Sequence, residues 1–461
     1  MSTVYENENN SIETLLKQVE LLIEKNDDIK LSEYIERIHY ADLSEIIMEL
    51  DDEKRNIVFA VLSIEDAAKV LEEIDSDVFV SLMSSLSIEQ KRRLIDIMSL
   101  DDIVDQLGEL SETEQKDIIS HMDIEDAKDV KELLVYEDDT AGGIMTTDYI
   151  AVGKNLTAYK AIESLRKDAE DAETVYYVYV VDENEKLVGV MSLRELILAS
   201  PTKKVEDIMN DNVIKVYVDE DQEDVARKVS KYDLLAIPVT DGNKMLKGII
   251  TVDDVIDVIE EEATEDILKF AGTSEEISGE ENLIIKIFNS IKSRLPWLIV
   301  TIFGGLVSAR IMSEFQGTLN ANTTLALFVP ILAGMGGNAG TQSSTITVRS
   351  IAMGNIVGKE AIRTVIQEIS VGFFVGLICS AIVGIASFYL KGEMLLSVIV
   401  ALAMWANMLT ATFIGTIVPL IFKKIGVDPA VASAPFITTT VDITGLTIYF
   451  TLATVMIVKL L

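Results

Sequence analysis

Residues 428–445 read Asp-Pro-Ala-Val-Ala-Ser-Ala-Pro-Phe-Ile-Thr-Thr-Thr-Val-Asp-Ile-Thr-Gly, which places a carboxylate inside a hydrophobic segment. Between Pro429 and Val458, Asp442 is the only acidic or basic residue. Counted from Val431, Asp442 lies about 16 Å along a helix, close to the middle of a bilayer core about 30 Å thick. A charge there costs at least about 2.5 kcal/mol, so it should face water, a partner or an ion. The stretch predicts a membrane domain with a cation site at Asp442; the alternative is a protonated Asp442 bonded to a neighbouring helix.

The C-terminal third of the chain is hydrophobic enough for five membrane spans. The predicted spans cover residues 295–312, 324–348, 369–390, 394–422 and 429–458. Lys and Arg are concentrated in the connections on one side, which predicts cytoplasmic N-terminal domains and a C-terminus outside. The N-terminus lacks a basic region followed by an apolar one, so no cleavable signal peptide is expected.

The acidic charge lies almost entirely in the N-terminal part. Residues 1–290 hold 29 of the 39 basic and 70 of the 76 acidic residues, a net charge of −41. Such a field argues against nucleic acid and anionic lipid as partners and favours divalent cations as counterions. One cysteine, Cys379, excludes a Cys-based zinc cluster, and the absence of a Walker A loop, a nucleophile elbow or a His–carboxylate cluster argues against an enzyme.

A 12-residue repeat occupies residues 39–134. Its units begin with Ser or Asp, good helix N-caps, and each closes on apolar residues. The unit starts are Asp51, Ser63, Asp75, Ser87, Ser99, Ser111 and Asp123. One unit is a helix too short to be stable alone, so the units are expected to stack into a compact α-solenoid. This domain is either a plain scaffold or presents its acidic rim, including Asp101, Asp102 and Asp105, to another acidic surface.

Two similar β-α-β-β-α modules follow the repeat. Each ends in a Gly-apolar-apolar-Ser/Thr signature, at residues 187–196 and 246–255, and the pair resembles a tandem CBS pair. CBS pairs commonly bind adenine nucleotides or ions, so ATP is a candidate ligand, although no residue singles out a nucleotide contact. The acidic helix after them carries Asp257, Glu261 and Glu265 four residues apart, either a solvated face or a coupling element that meets cations.

The predicted spans also carry uncharged polar groups suited to a hydrated cation. Asn338 and Gln342 share a helix face beside glycines that allow close backbone approach or a helix break; tight helix packing is the alternative for these glycines. Asn407 adds an amide, and Pro435 is expected to kink the last span near three threonines. The candidate ion-path residues are Asp442, Asn338, Gly336, Gly337, Gln342, Asn407, Pro435 and Thr439.

Several motifs together resemble the MgtE family of bacterial magnesium channels. They are Pro330-x5-Gly336-Gly-Asn-Ala-Gly-Thr-Gln342, Asn407 with Gly415 and Pro419, Gly426-Val-Asp-Pro-Ala430, Asp442-Ile-Thr-Gly445 and Glu260-Glu-Glu-Ala-Thr-Glu-Asp266. The resemblance implies a homodimer in the cytoplasmic membrane with its pore between the second and fifth spans, Asp442 at the ion site, and Mg2+ as both substrate and regulator. It covers nearly the whole chain, apart from the acidic start, whose role is unassigned.

The resemblance also implies that cytosolic Mg2+ bridges carboxylates between domains and favours the closed pore. The positions that match are Asp101, Asp105, Asp221, Glu223, Asp233, Asp254, Asp257, Glu262, Glu265 and Asp266. When Mg2+ falls, facing carboxylates repel by about 4 kcal/mol per pair at 4 Å and an effective dielectric of 20. Two other functions stay open, a proton- or sodium-coupled divalent cation carrier and a non-conducting CBS-domain membrane sensor.

The predicted fold class is therefore a multidomain membrane protein. It comprises an α-helical solenoid, an α+β tandem CBS pair, a connecting helix and a five-helix transmembrane domain. The predicted boundaries are 1–38 for an N-terminal helical and acidic segment, 39–138 for the helical repeat, 139–202 and 203–260 for the CBS modules, 261–294 for the connecting helix and 295–461 for the membrane domain.

Overall fold

The 12-residue repeat forms a stack of short capped helices. In the computed structural model, Asp51 and Ser63 accept hydrogen bonds from backbone N–H groups at the starts of their helices, and Ser87 and Ser111 form capping boxes. The helices of this region are α1 (Ile12–Glu24), α2 (Asp28–Ile35), α3 (Tyr40–Glu49), α4 (Asp52–Ala60), α5 (Ile64–Glu72), α6 (Ser76–Ser85), α7 (Ile88–Ile95), α8 (Leu100–Gly108), α9 (Glu112–Ile119) and α10 (Asp126–Leu133). The predicted helical solenoid is confirmed.

The repeat also sets the core of this domain. Residues spaced by 12 are all buried, namely Ile46, Val58, Val70, Leu82, Leu94, Gln106, Ile118 and Val130. Gln106 is the polar exception, and its amide donates to the carbonyl of Ile74 over 2.8 Å. Because each helix buries only one face, neighbouring units must supply the rest of the core, as expected for a solenoid.

The two CBS modules each form a three-stranded sheet. The first module contains β1 (Ala151–Gly153), α11 (Ala158–Asp168), β2 (Tyr177–Val181), β3 (Leu187–Ser192) and α12 (Leu193–Leu198); the second contains β4 (Val216–Tyr217), α13 (Gln222–Tyr232), β5 (Ala236–Thr240) and β6 (Leu246–Thr251). In each sheet the first strand pairs in parallel with the second, and the second pairs antiparallel with the third. The repeated topology agrees with the tandem pair predicted from the sequence.

Apart from one short helix, the remaining helices are long. They are α14 (Val252–Ala271), α15 (Leu283–Glu314), α16 (Gln316–Ala321, a short helix), α17 (Val329–Ala352), α18 (Lys359–Lys391), α19 (Met394–Lys424) and α20 (Ala434–Leu460). Among the residues that the structure describes, five segments are long and apolar enough to cross a membrane, at Ile287–Glu314, Thr323–Ala352, Lys359–Lys391, Met394–Lys424 and Ala434–Ile457. All five predicted spans are found, with ends that differ by up to ten residues.

Two expectations about the fifth span are wrong. In the second span, α17 continues through its glycines without a break, which leaves close backbone approach as the alternative that holds. Pro435 does not kink the fifth span, because it lies in the first turn of α20, where its missing N–H has no helical partner to lose. Counted from Ala434, Asp442 lies about 12 Å along a span about 36 Å long, one third of the way rather than half.

The structure describes residues 12–25, 27–108, 110–124, 126–168, 172–273, 283–354, 356 and 358–460. The chain divides into two units, residues 1–259 with 278–280 and residues 260–277 with 281–461, and the division falls within α14. The acidic start falls largely outside the described residues, apart from α1 and α2.

Candidate functional site

The glycines of α17 form a close seam with α20. A Cβ placed on Gly337 would lie 3.3 Å from the Thr438 methyl carbon, and one on Gly340 would lie 3.0 Å from a methyl of Ile437 and 3.1 Å from a methyl of Val441. A larger residue would push the two helices apart. These glycines therefore serve tight packing in this chain, which was the alternative to a direct role in an ion path.

Polar side chains flank that seam. Asp442 follows Val441 on α20 and is partly buried, and Asn338 follows Gly337 on α17. Asn338 and Gln342 are both exposed, on the one face that the sequence predicted for them. Amides left against lipid would have unsatisfied hydrogen-bonding groups, so this face requires water or a further protein surface.

Two other predicted ion-path residues lie in packing contacts. Asn407 is 1% exposed; its Nδ2 donates to the Leu332 carbonyl over 2.7 Å, and its amide fills the space left by Gly336 and Gly445. Thr439 packs on Gly304 of α15, where a Cβ would overlap its methyl group. Both residues thus position helices.

One acidic residue within a membrane span was not predicted from the sequence. Glu368 of α18 is 5% exposed, and its Oε2 accepts a hydrogen bond of 2.7 Å from Ser343 Oγ on α17. The predicted third span began at Ile369, one residue too late to include it. The available signal was that Glu368 is the only charged residue between Arg363 and Lys391.

A second group of acids lies in the N-terminal unit, here called the acidic cluster: Glu72, Glu73, Asp101, Asp102, Glu173, Asp254 and Asp257. Burial, with the nearby charges of Asp254 and Asp102, holds the pKa of Asp101 well above its usual range. Burial raises the pKa of Asp102 to about 7, against the hydrogen bond from Ser99. Asp101, Asp254 and Asp257 were among the predicted Mg2+ ligands, and the structure places all three in this region.

The cluster draws on three parts of the unit. The solenoid supplies Glu72 at the end of α5, Glu73 directly after it, and Asp101 and Asp102 of α8. The first CBS module supplies Glu173, and the start of α14 supplies Asp254 and Asp257. Burial and the charges of Asp254 and Asp253 raise the pKa of Glu173, and burial and Asp257 raise that of Glu73. Glu72, Glu73 and Glu173 were not predicted, because only the tertiary fold brings them to α14.

The acidic cluster carries an excess of negative charge. Among the described residues, no Lys, Arg or His forms an ion pair with Asp101, Asp102, Glu173 or Asp254. Asp101 Oδ1 is buried without a hydrogen-bond partner. No group of three or more His, Cys, Asp or Glu side chains in the described ranges is arranged to hold a metal ion directly. The cluster fits a hydrated divalent ion, because Mg2+ usually keeps several waters and takes one or two carboxylates.

Four other predicted ligands lie on α8, within α13 or at the two ends of α13. Asp221 caps the start of α13 and Asp233 follows its end in the left-handed conformation, about 18 Å away along the helix. Glu223 forms an ion pair of 3.0 Å with Arg227, and Asp105 is an exposed residue of α8. A single chain does not bring Asp221 and Asp233 to one ion.

The end of α14 forms a third polar group, here called the junction: Glu265, Asp266, Lys269 and Asp428. Lys269 Nζ lies 2.6 Å from Glu265 and 3.0 Å from Asp428, which caps the turn before α20. Although burial opposes it, bonds to Glu265 and Asp428 raise the pKa of Lys269; burial and Asp428 raise the pKa of Asp266. The predicted ligand Glu265 is therefore already paired with a cation, and Glu262, one turn earlier, is partly buried.

Gly272, directly after α14, lies close to the start of α20. Gly272 ends α14 with φ +79°, a conformation that favours glycine. A Cβ there would lie 3.0 Å from Pro435 and 3.3 Å from the ring of Trp297. Pro435, predicted to shape an ion path, thus contacts the end of the connecting helix.

The fold and these sites define a multidomain membrane protein with a tandem CBS pair and an intramembrane carboxylate. Residues 329–452 match MgtE, described as a divalent cation transporter, residues 38–139 match the MgtE intracellular N domain, and residues 141–201 and 205–261 match the CBS domain. The chain belongs to the MgtE family of magnesium transporters.

Curated relatives and a solved structure agree with this assignment. The chain is 41% identical over 331 residues to the magnesium transporter MgtE of Bacillus subtilis (strain 168), covering 72% of each chain, and 41% identical over 327 residues to that of Enterococcus faecalis, covering 71% of each. It also resembles the crystal structure of the cytosolic domain of the Mg2+ channel MgtE in complex with ATP, with 38% identity and a TM-score of 0.50 over 53% of this chain and 99% of that one.

Proposed function

We propose that this protein is a homodimeric, Mg2+-selective channel of the cytoplasmic membrane, with its N-terminal domains in the cytosol and its C-terminus outside. The single observation that carries the proposal is the exposed polar face of α17, Asn338 and Gln342, beside the seam with the helix of Asp442. That face cannot rest against lipid without cost, and a second copy of the chain with water between the copies would cover it. The MgtE relatives named as magnesium transporters support Mg2+ as the ion.

Asp442 would select the ion through its water shell. Mg2+ loses water reluctantly, so two Asp442 carboxylates, one from each subunit, would hold the hydrated ion by hydrogen bonds to its waters. The amides of Asn338 and Gln342 offer further oxygen and N–H groups to the same shell without adding positive charge. Selection then depends on the size and charge of the hydrated ion.

Cytosolic Mg2+ would favour the closed channel through the acidic cluster. Its carboxylates come from the solenoid, the CBS pair and α14, so a divalent cation among them joins all three parts. Loss of Mg2+ leaves them to repel. Asp254 and Asp257 lie near the start of α14 and Lys269 near its end, so this helix is the proposed coupling element. ATP is a proposed ligand of the CBS pair, because the similar crystal structure carries ATP.

The test is Mg2+ uptake into proteoliposomes without a pH or sodium gradient. Wild type, Asp442→Ala and Thr447→Val are compared; Thr447 is an exposed residue of α20 whose hydroxyl bonds only within its own helix, to Ile443, among the described hydrogen bonds. We expect uptake by wild type and Thr447→Val, and at least a tenfold loss in Asp442→Ala. Uptake that requires a gradient would indicate a coupled carrier, and no uptake from folded wild type would indicate a sensor.

A further inference from the structure

Glu368 is a buried acid in a membrane-spanning helix. It is 5% exposed, and residues 364–390 of α18 contain no other charged side chain. An ionisable residue at such a position is costly, so it is treated as functional and its partner must be identified. Here the partner is Ser343, whose hydroxyl donates to Glu368 over 2.7 Å.

Two directional bonds hold α17 on either side of its polar face. Near its start, the Leu332 carbonyl accepts from Asn407; further along, Ser343 donates to Glu368, and both bonds measure 2.7 Å. Residues 332 and 343 are about 16 Å apart along the helix. Asn338 and Gln342 lie between them.

The other contacts of α17 with α19 and α20 constrain its rotation about the helix axis less than these two hydrogen bonds do. They include the close contacts of Gly336, Gly337 and Gly340, and van der Waals contacts have little angular preference. Ser344 adds only a long bond of 3.4 Å to the Ala432 carbonyl. Ser343 and Gln342 are adjacent in sequence and therefore point about 100° apart around the helix. The hydrogen bond of Ser343 is thus made on the buried face of α17, while Gln342 lies on its exposed face.

We propose that Glu368 is a positioning residue for ion selection: by accepting the hydrogen bond of Ser343, it fixes the rotation of α17 and so the direction of Asn338 and Gln342. Glu368 itself touches no ion. The role needs an acceptor oxygen, which a glutamine also provides. The inference rests on the proposed ion path along α17 and α20.

The first test uses full-length protein in proteoliposomes. The ratio of Mg2+ to Na+ permeability is compared among wild type, Glu368→Ala, Glu368→Gln and Ser343→Ala. Ser380→Ala is the matched control, because Ser380 is also buried in α18 and its hydroxyl, within the described part of the chain, bonds only to Leu377 of its own helix. We expect the ratio to fall at least threefold in Glu368→Ala and Ser343→Ala and to stay within twofold of wild type in the other two variants.

The second test does not require conduction. A nitroxide label on Thr345→Cys, with Cys379→Ser, reports the orientation of α17, because Thr345 is exposed two turns after Asn338. Glu368→Ala should change the mobility spectrum and Glu368→Gln should not, in purified protein whose elution profile matches wild type. An unchanged spectrum in Glu368→Ala, or equal effects of Gln and Ala, would overturn the proposal. Absence of wild-type flux would instead overturn the proposed function.

Discussion

The acidic cluster and the junction both bring carboxylates close together, but they differ in whether a basic side chain offsets the repulsion between them. In the cluster, burial and neighbouring carboxylates raise the pKa of Asp101, Asp102, Glu173 and Asp254, and the described residues supply no basic ion-pair partner to these four. At the junction, Lys269 bridges Glu265 and Asp428. One lysine therefore distinguishes the junction, where Glu265 and Asp428 are paired with a cation, from the cluster, where these four carboxylates have no basic ion-pair partner among the described residues.

This difference assigns separate tasks to the two ends of α14. The cluster at its start is expected to respond to Mg2+, because a divalent ion would offset the repulsion among its carboxylates. The ion pairs of the junction at its end are expected to persist at any Mg2+ concentration, because the ammonium of Lys269 is always present. A helix that responds to Mg2+ at one end and remains attached at the other can transmit a movement along its length.

The largest expected effect comes from removing the built-in cation. Lys269→Glu places a third carboxylate beside Glu265 and Asp428, which should destabilise the junction by about 2 kcal/mol. Amide hydrogen exchange in the last turn of α14, measured on the full chain in nanodiscs, should accelerate about 30-fold. Added Mg2+ should reverse part of this acceleration, because the variant junction now resembles the cluster.

Two variants check that interpretation. The charge swap Lys269→Asp with Asp428→Lys should restore slow exchange, and Lys17→Glu, at a pair that is more than two-thirds exposed on both sides, should leave it unchanged. If Lys269→Glu exchanged at the wild-type rate with and without Mg2+, the junction would not depend on its lysine and the comparison would fail.

A smaller effect of opposite sign is expected in the cluster. Asp101→Asn removes one of the repelling charges while keeping the side-chain shape, so in EDTA the amides of α8 should exchange about tenfold more slowly than in wild type, about 1.4 kcal/mol. The further slowing caused by Mg2+ should shrink accordingly. Asp96→Asn, an exposed residue at the end of α7, is the control. Faster exchange in Asp101→Asn would indicate that this carboxylate stabilises the fold rather than opposing it.

The smallest effect concerns pH. The folded-state pKa of Asp102 is about 7, above the unfolded value of about 3.9, so its contribution to stability is full below the unfolded value and is lost as the pH rises through 7. Without Mg2+, lowering the pH from about 8 to about 6 should stabilise the cluster by about 1 kcal/mol. After correction for intrinsic exchange, α8 should be protected more at the lower pH, and Asp102→Asn should abolish the gain. Equal protection at both pH values in wild type would contradict it.

Local patterns were sufficient for much of the fold. The 12-residue spacing of Ser and Asp predicted the caps of α4, α5, α7 and α9, because capping depends on a few consecutive residues. The spans were visible as hydrophobic runs, and the shared face of Asn338 and Gln342 followed from helical periodicity. The kink at Pro435 was predicted wrongly, because the exact helix start depends on how the loop before it packs.

The sequence by itself therefore determined the class of the protein, the order of its domains and the presence of a carboxylate in the membrane. Only the tertiary structure decided which acids meet and which are already paired. Glu173 joins Asp101 and Asp254 from a different domain, Lys269 reaches Asp428 across 159 positions of sequence, and Asn407 is 1% exposed between two glycines. The physical reason is that electrostatic energy and packing depend on distances through space, and residues far apart in the chain come close only after the helices have packed.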